Sequence, residues 1–203
     1  AGDLLGADQS GFINDIGFET YQKILNEAVE ELKQEKFHDL FSEEKKIFYV
    51  KDCQLDTDLE ILIPDTYVSN ISERLNLYKE LNNFTKKEEI ISFINRLNDR
   101  FGPPPKAIHS VCDALQLRWL AKKIGFERII LKSEYMRAFF PSQVDSPYYN
   151  TAMFQKALDY LKSNYERSEM IEKKGKLNIH IKNIKSIKEA LTVCKEIADQ
   201  KLI

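Results

Sequence analysis

The sequence predicts an α+β chain, in which a helical N-terminal tail precedes a domain of several helices packed on a small mixed or antiparallel sheet. Three observations carry that expectation. From Ile71 to Trp119, apolar residues recur at spacings of three and four, the period of helices that bury one face. Beyond Gly125, β-rich runs come in pairs, FERIILKS with YMRAFFPS and later SEMIEKK with LNIHIKNI, each pair followed by a helical stretch. Across 203 residues, 43% hydrophobic side chains and 11% aromatics are enough for a core.

The opening, AGDLLGADQSGFINDIGFETY, starts without an initiator Met or signal peptide and is punctuated by Gly2, Gly6 and Gly11, which predicts a piece of a longer protein. A glycine-broken loop carrying Asp3, Asp8 and Gln9 suits a segment that moves against a rigid helix. That helix is marked by Phe18, Tyr21, Leu25, Ala28 and Leu32 on one face, with Glu27, Glu30, Glu31 and Lys33 on the other. Residues 34–52 mix both charge signs with scattered aromatics and show neither period, so a boundary belongs there. The expected organisation is a motif tail over 1–34, a linker over 35–52 and an α+β domain over 53–203.

Leu55, Thr57, Leu59, Ile61 and Ile63 alternate with Asp56, Asp58 and Glu60 up to Pro64, which predicts a half-buried strand stopped by proline. Three helices follow, marked by Ile71, Leu75, Tyr78 and Leu81, then by Ile90, Ile94, Leu97 and Phe101, then by Ile108, Val111, Cys112, Leu115 and Trp119. Thr85 with Glu88 has capping-box spacing, Gly102 and Pro103 to Pro105 separate the second helix from the third, and Gly125 stands at the third helix's end. After the first β-rich pair a helix is expected near Thr151 to Ser163. After the second, Ser186 and Glu189 open a last helix with Ile187, Leu191, Cys194 and Ala198 on one face.

Charge and cysteine usage exclude several functions. Thirty Lys plus Arg against 32 Asp plus Glu give a net charge of −2, without the one-signed surplus of a dedicated nucleic-acid binder. Cys53, Cys112 and Cys194 are widely spaced and contain no C-x-x-C pair, which fits neither a disulfide framework nor a zinc site and is consistent with a cytoplasmic setting. No apolar run reaches the length of about 18 residues that a membrane span requires.

Candidate chemistry is sparse. His38, His109 and His180 lie far apart on different expected elements and are read as structural or surface residues. There is no phosphate-binding loop of either common pattern. Asp56, Asp58 and Glu60 are read as a solvated face, because the glycine turn and bidentate Glu of a calcium loop are missing. Trp119 with Arg118, Lys122 and Lys123 has the composition of a nucleic-acid platform, yet Trp119 also continues its helix's apolar stripe, which favours core packing. Two features remain. In GDLLGADQSGF, Gln9 and Ser10 stand between Gly6 and Gly11 with no visible core role, in either a functional loop or a simple helix entry. In NRLNDRFGPP, Arg96, Asp99 and Arg100 project from a helix end, as interdomain contacts or as a solvated terminus.

GDLLGADQSGFINDIGFETYQKIL resembles the end of the translocation motif of bacterial transcription-repair coupling factors and RecG-like helicases. The continuation, LEILIPDTYVSNISERLNLYKEL, then RLNDRFGPPP, then LQLRWLAKKIG, is similar in order and spacing to the coupling-factor C-terminal domain, strongly to about residue 125 and weakly beyond. The resemblance implies a part of an ATP-dependent double-stranded DNA translocase that displaces stalled RNA polymerase and recruits the excision-repair protein UvrA. It implies that this part is a regulatory clamp on the N-terminal UvrB-like module, masking the UvrA-binding surface, and not the motor. No cofactor is then expected here, because ATP and magnesium belong to motor domains outside this stretch. Gly6, Gln9, Ser10 and Gly11 would match the motif that couples hydrolysis to movement. In the family pattern, acidic residues ahead of the R-F-G corner face basic residues of the module. Asp99 fits that pattern, whereas Arg96, one turn earlier, departs from it and implies a different charge arrangement.

Overall fold

Local capping residues set the helix ends along the described chain. The computed structural model describes residues 49–143, 146–173 and 175–200, which fall in the unit Phe48–Ile203. The expected motif tail, its helix, His38 and most of the linker lie outside the described residues. Helix α1, Ile71–Asn83, starts where Asn70 Oδ1 accepts the Glu73 amide at 3.0 Å. Helix α2 is Lys87–Phe101, and its cap differs from the expected Thr85/Glu88 pair. The N-cap is Lys86, and Glu89 Oε2 reaches back to accept the amides of Lys86 at 2.8 Å and Thr85 at 2.7 Å. Those two N–H donors hold the Glu89 carboxyl below its ordinary range. Helix α3, Lys106–Ile124, enters from Pro105 and ends on Gly125 at φ 103°, as the sequence predicts.

The strand expected over Leu55–Ile63 is shorter. Only Gln54–Thr57 (β1) joins a ladder, in parallel with β2, Arg128–Lys132. Leu59 and Ile61 continue to turn inward and Ile63 is buried, so the alternation is real while the pairing stops. β2 turns into β3, Tyr135–Phe139, through Ser133 and Glu134 at φ 52° and 63°, the doubly positive φ that a two-residue hairpin favours. A 3-10 turn at Pro147–Asn150 leads to α4, Ala152–Ser163, capped by Thr151 Oγ1. The antiparallel pair β4, Ser168–Lys173, and β5, Lys176–Lys182, precedes α5, Ile187–Asp199, where Ser186 Oγ accepts the Glu189 amide. The sheet order is β1-β2-β3-β5-β4, a mixed five-stranded sheet.

Two cores result, and α3 serves both. Ile129, Leu131, Met136, Ala138, Ile179 and Ile181 form the sheet's buried face and share one core with Leu117 and Ala121 of α3, Tyr160 of α4, and Leu191 and Cys194 of α5. The second core joins Ile63 and Val68 to Leu77, Leu81, Ile90, Phe93 and Leu97, closed by Ile108 and Cys112 from the first half of α3. Apolar residues all round α3 are what a helix between two cores needs. The expected face of α1 is corrected: Ile71 and Leu75 are 66% and 55% exposed, and Leu77 and Leu81 are the inward pair. All three cysteines are free and buried, and burial pushes the Cys53 and Cys112 thiols up to about 12.

Candidate interaction surface

The corner RLNDRFG is held from inside by the α1–α2 pair. Phe84 and Phe93 meet edge to face at 5.6 Å, between the inward residues of both helices. The approach to α1 is fastened to both helices. Ile63 N donates to Tyr78 Oη at 2.6 Å, Arg74 Nη1 donates to the carbonyls of Val68 at 2.6 Å and Ser69 at 3.0 Å, and the Tyr67 hydroxyl donates to Gly102 O at 2.8 Å. The Tyr67 ring also meets Phe101 edge-on at 5.8 Å. The last turn of α2 is therefore seated on a chain segment 35 residues earlier.

Outside this packing, the three sequence-predicted residues part company. Arg96 pairs with Glu80, and Arg100 pairs with Glu73, both across to α1. The Arg100 guanidinium lies 5.0 Å from the Phe101 ring centroid, and Arg96 stands 6.0 Å from that of Phe93. Asp99 is exposed and holds no hydrogen bond or ion pair among the described residues. The two arginines are thus partly neutralised within the unit, and Asp99 is the charge presented outward. Sequence reading missed Glu73 and Glu80 because each lies a helix away from its partner, at separations of 27 and 16 residues.

The remaining candidates are placed plainly. Gly6, Gln9, Ser10 and Gly11 lie outside the described residues. His109 is exposed on α3, and His180 is half-buried on β5 beside Glu169, at 3.3 Å. Asp56, expected to face solvent, accepts from Arg128 Nε at 2.6 Å, and that bond holds its carboxyl below the usual range. Asp58 accepts the Ser133 amide at 3.1 Å and so braces the β2–β3 turn, while Glu60 is exposed. Arg118 donates to Asp52 Oδ2 at 2.6 Å and to Cys53 O at 3.3 Å, tying α3 to the chain before β1. Trp119 packs against the second core, as its stripe predicts. Among the described residues no group of three or more His, Cys, Asp or Glu is arranged to hold a metal, and no helix is long and apolar enough to cross a membrane.

Comparison with known proteins places this architecture. Residues 57–151 match the model of the TRCF domain. The transcription-repair-coupling factor of Buchnera aphidicola is 29% identical over 185 residues, covering 84% of this chain and 22% of that protein. The transcription-repair-coupling factor of Haemophilus influenzae is 34% identical over 131 residues, covering 64% of this chain and 11% of its own length. The chain therefore spans between about a tenth and a quarter of these relatives. A solved C-terminal domain of transcription-repair coupling factor superposes with TM-score 0.58 at 18% identity, covering 74% of this chain and 94% of that one, so the fold is shared.

Proposed function

Because the chain carries the TRCF domain of the transcription-repair coupling factors, we propose that it is the regulatory module of such a protein, acting by docking and not by catalysis. In this reading the domain clamps the N-terminal UvrB-like module of the same protein and covers the surface that UvrA binds. The clamp opens once the motor engages stalled RNA polymerase on double-stranded DNA. ATP and magnesium act in motor domains outside these residues, and no residue here is assigned to them.

One observation carries the proposal: Asp99 projects unpaired from a corner whose flanking arginines are already engaged. A fixed, unneutralised carboxylate at the end of a braced helix is suited to meet a basic surface. Its desolvation is offset only when a cation is supplied. Tethering raises the effective concentration of the partner, so a coupling of about 1–3 kcal/mol suffices to hold a resting state. Exposed Ile71 and Leu75 on α1 and Ile91 on α2 add apolar area to the same two-helix unit.

The test is a pull-down of this chain against the separately expressed N-terminal module at low and physiological salt. Retention that falls with salt and with Asp99→Lys supports the clamp. Equal recovery of wild type and D99K would remove Asp99 from the contact, and no retention at either salt would contradict the docking reading. The platform at Arg118, Lys122 and Lys123 gains no support, since Arg118 is committed to Asp52 and Cys53 and Trp119 to the core.

A further inference from the structure

The two faces of the sheet differ sharply. Register puts Ile129, Ala138 and Ile179 in one row and Leu131, Met136 and Ile181 in the next, all on the buried side. The alternate residues point the other way, where Asn178 is buried, Ile130, Phe139 and His180 are half-buried, and Arg137, Tyr135, Lys132 and Lys182 are exposed among the described residues. There Ile130, Arg137, His180 and Glu169 form one cross-strand row, and Lys132, Tyr135 and Lys182 form the next.

Two properties of this open face point to one ligand chemistry. First, Tyr135 is 41% exposed, and its ring lies 4.7 Å from that of His180 at an interplanar angle of 38°, a paired aromatic surface on adjacent strands. Second, Arg128, Lys132, Arg137 and Lys182 outnumber the acids Asp56 and Glu169 on this face, and while Asp56 is paired with Arg128, Arg137 and Lys182 hold no hydrogen bond or ion pair among the described residues. The surplus cations thus flank the rings. The chain's overall charge of −2 hides this local asymmetry.

We propose that this open sheet face binds single-stranded nucleic acid, with Tyr135 and His180 stacking a base and Arg137, Lys182 and Lys132 contacting the adjoining phosphates. Stacking needs a flat ring accessible from one side, and the phosphate spacing along an extended strand needs cations on either side of it. A duplex keeps its base faces covered and offers no such contact to a sheet with nothing projecting from it. An acidic protein segment would use the cations and leave the rings idle.

Fluorescence anisotropy of the 203-residue chain with a labelled oligothymidylate of about 20 nucleotides tests this at about 50 and 200 mM salt. Three phosphate contacts at about −0.7 in the salt slope each predict a weakening on the order of tenfold between the two salts. Tyr135→Ala is expected to weaken binding about fivefold or more, Tyr135→Phe to retain it, Arg137→Glu to weaken it, and Lys123→Glu, on α3 away from this face, to leave it unchanged. Circular dichroism of each variant confirms the fold. Absence of binding at the lower salt overturns the proposal, as does equal affinity for a duplex of the same length. Loss with Arg137→Glu but none with Tyr135→Ala would assign the face to a merely acidic partner, and displacement by poly-glutamate would then identify it as protein-like; that result also overturns the proposal.

Discussion

Arg100, in the last turn of α2, is paired with Glu73, in the first turn of α1, so the end of one helix is tied to the start of its neighbour. Arg96, one turn earlier in α2, pairs with Glu80, two turns further along α1. Both arginines are more than half exposed, at 54% and 57%, so water and salt screen these pairs. A double-mutant cycle with Glu73→Gln and Arg100→Gln is expected to give a coupling of about 0.3–1 kcal/mol in urea unfolding, shrinking at high salt. A coupling several times larger would mean that the corner is held by charge instead of by Phe84, Phe93 and Leu97.

Asp99 is exposed and holds no hydrogen bond or ion pair among the described residues, so its replacement should not disturb the fold. Asp99→Lys is expected to shift stability by no more than about 0.5 kcal/mol. Thermal unfolding of the variant beside wild type checks this, and a large drop would show that the carboxylate serves the fold itself.

Gly125 ends α3 at φ 103°, and a Cβ there would collide with the Tyr148 ring. Gly125→Ala combines left-handed strain with overpacking of a buried aromatic and is expected to cost about 2–4 kcal/mol. Its urea midpoint should fall accordingly, and a near-neutral result would mean that Tyr148 moves aside freely.

Glu89 carries a pH signature. Its pKa is lowered in the folded state by the amides of Thr85 and Lys86, so the stability it adds is present above its ordinary value of 4.5 and is lost as pH falls through the lower folded value. The difference in urea midpoint between wild type and Glu89→Gln should be largest near neutrality and shrink below that value. A difference constant down to strongly acidic pH would contradict the cap.

Ser133 and Glu134 occupy positive φ without glycine or asparagine. Replacing the pair with Asn-Gly, which favours that turn, is expected to stabilise the chain by up to about 1 kcal/mol in thermal unfolding. Destabilisation would show that the Lys185 contact with the Glu134 side chain outweighs the turn's backbone strain.

Most local signals in the sequence survived, although the expected Thr85/Glu88 cap gave way to Lys86 and Glu89. Thr151, Ser186, Gly102 and Gly125 act within a few residues of themselves, and these helix ends were legible for that reason, whereas the Asn70 cap was not singled out. The β2–β3 pair was legible as two adjacent β-rich runs although its turn lacks glycine. The extent of β1 depended on β2, which arrives after three helices, so the apolar alternation through Ile63 overstated the ladder. For α1 the expected stripe was half right: Tyr78 and Leu81 join the second core, whereas Ile71 and Leu75 are exposed and Leu77, which the stripe left out, is buried. At the corner, Arg96, Asp99 and Arg100 were visible as a charged helix end, while their division into paired and unpaired members rests on Glu73 and Glu80 from another helix. The open sheet face was illegible, since Tyr135 and His180 become neighbours only through the β3–β5 pairing.

Removing residues 53–203 from the full-length protein and measuring its affinity for UvrA tests the docking account most directly. The account predicts that the shortened protein binds UvrA more tightly than the intact one, by about fivefold or more for a coupling of 1 kcal/mol upward. Equal affinity of the two proteins for UvrA would contradict it.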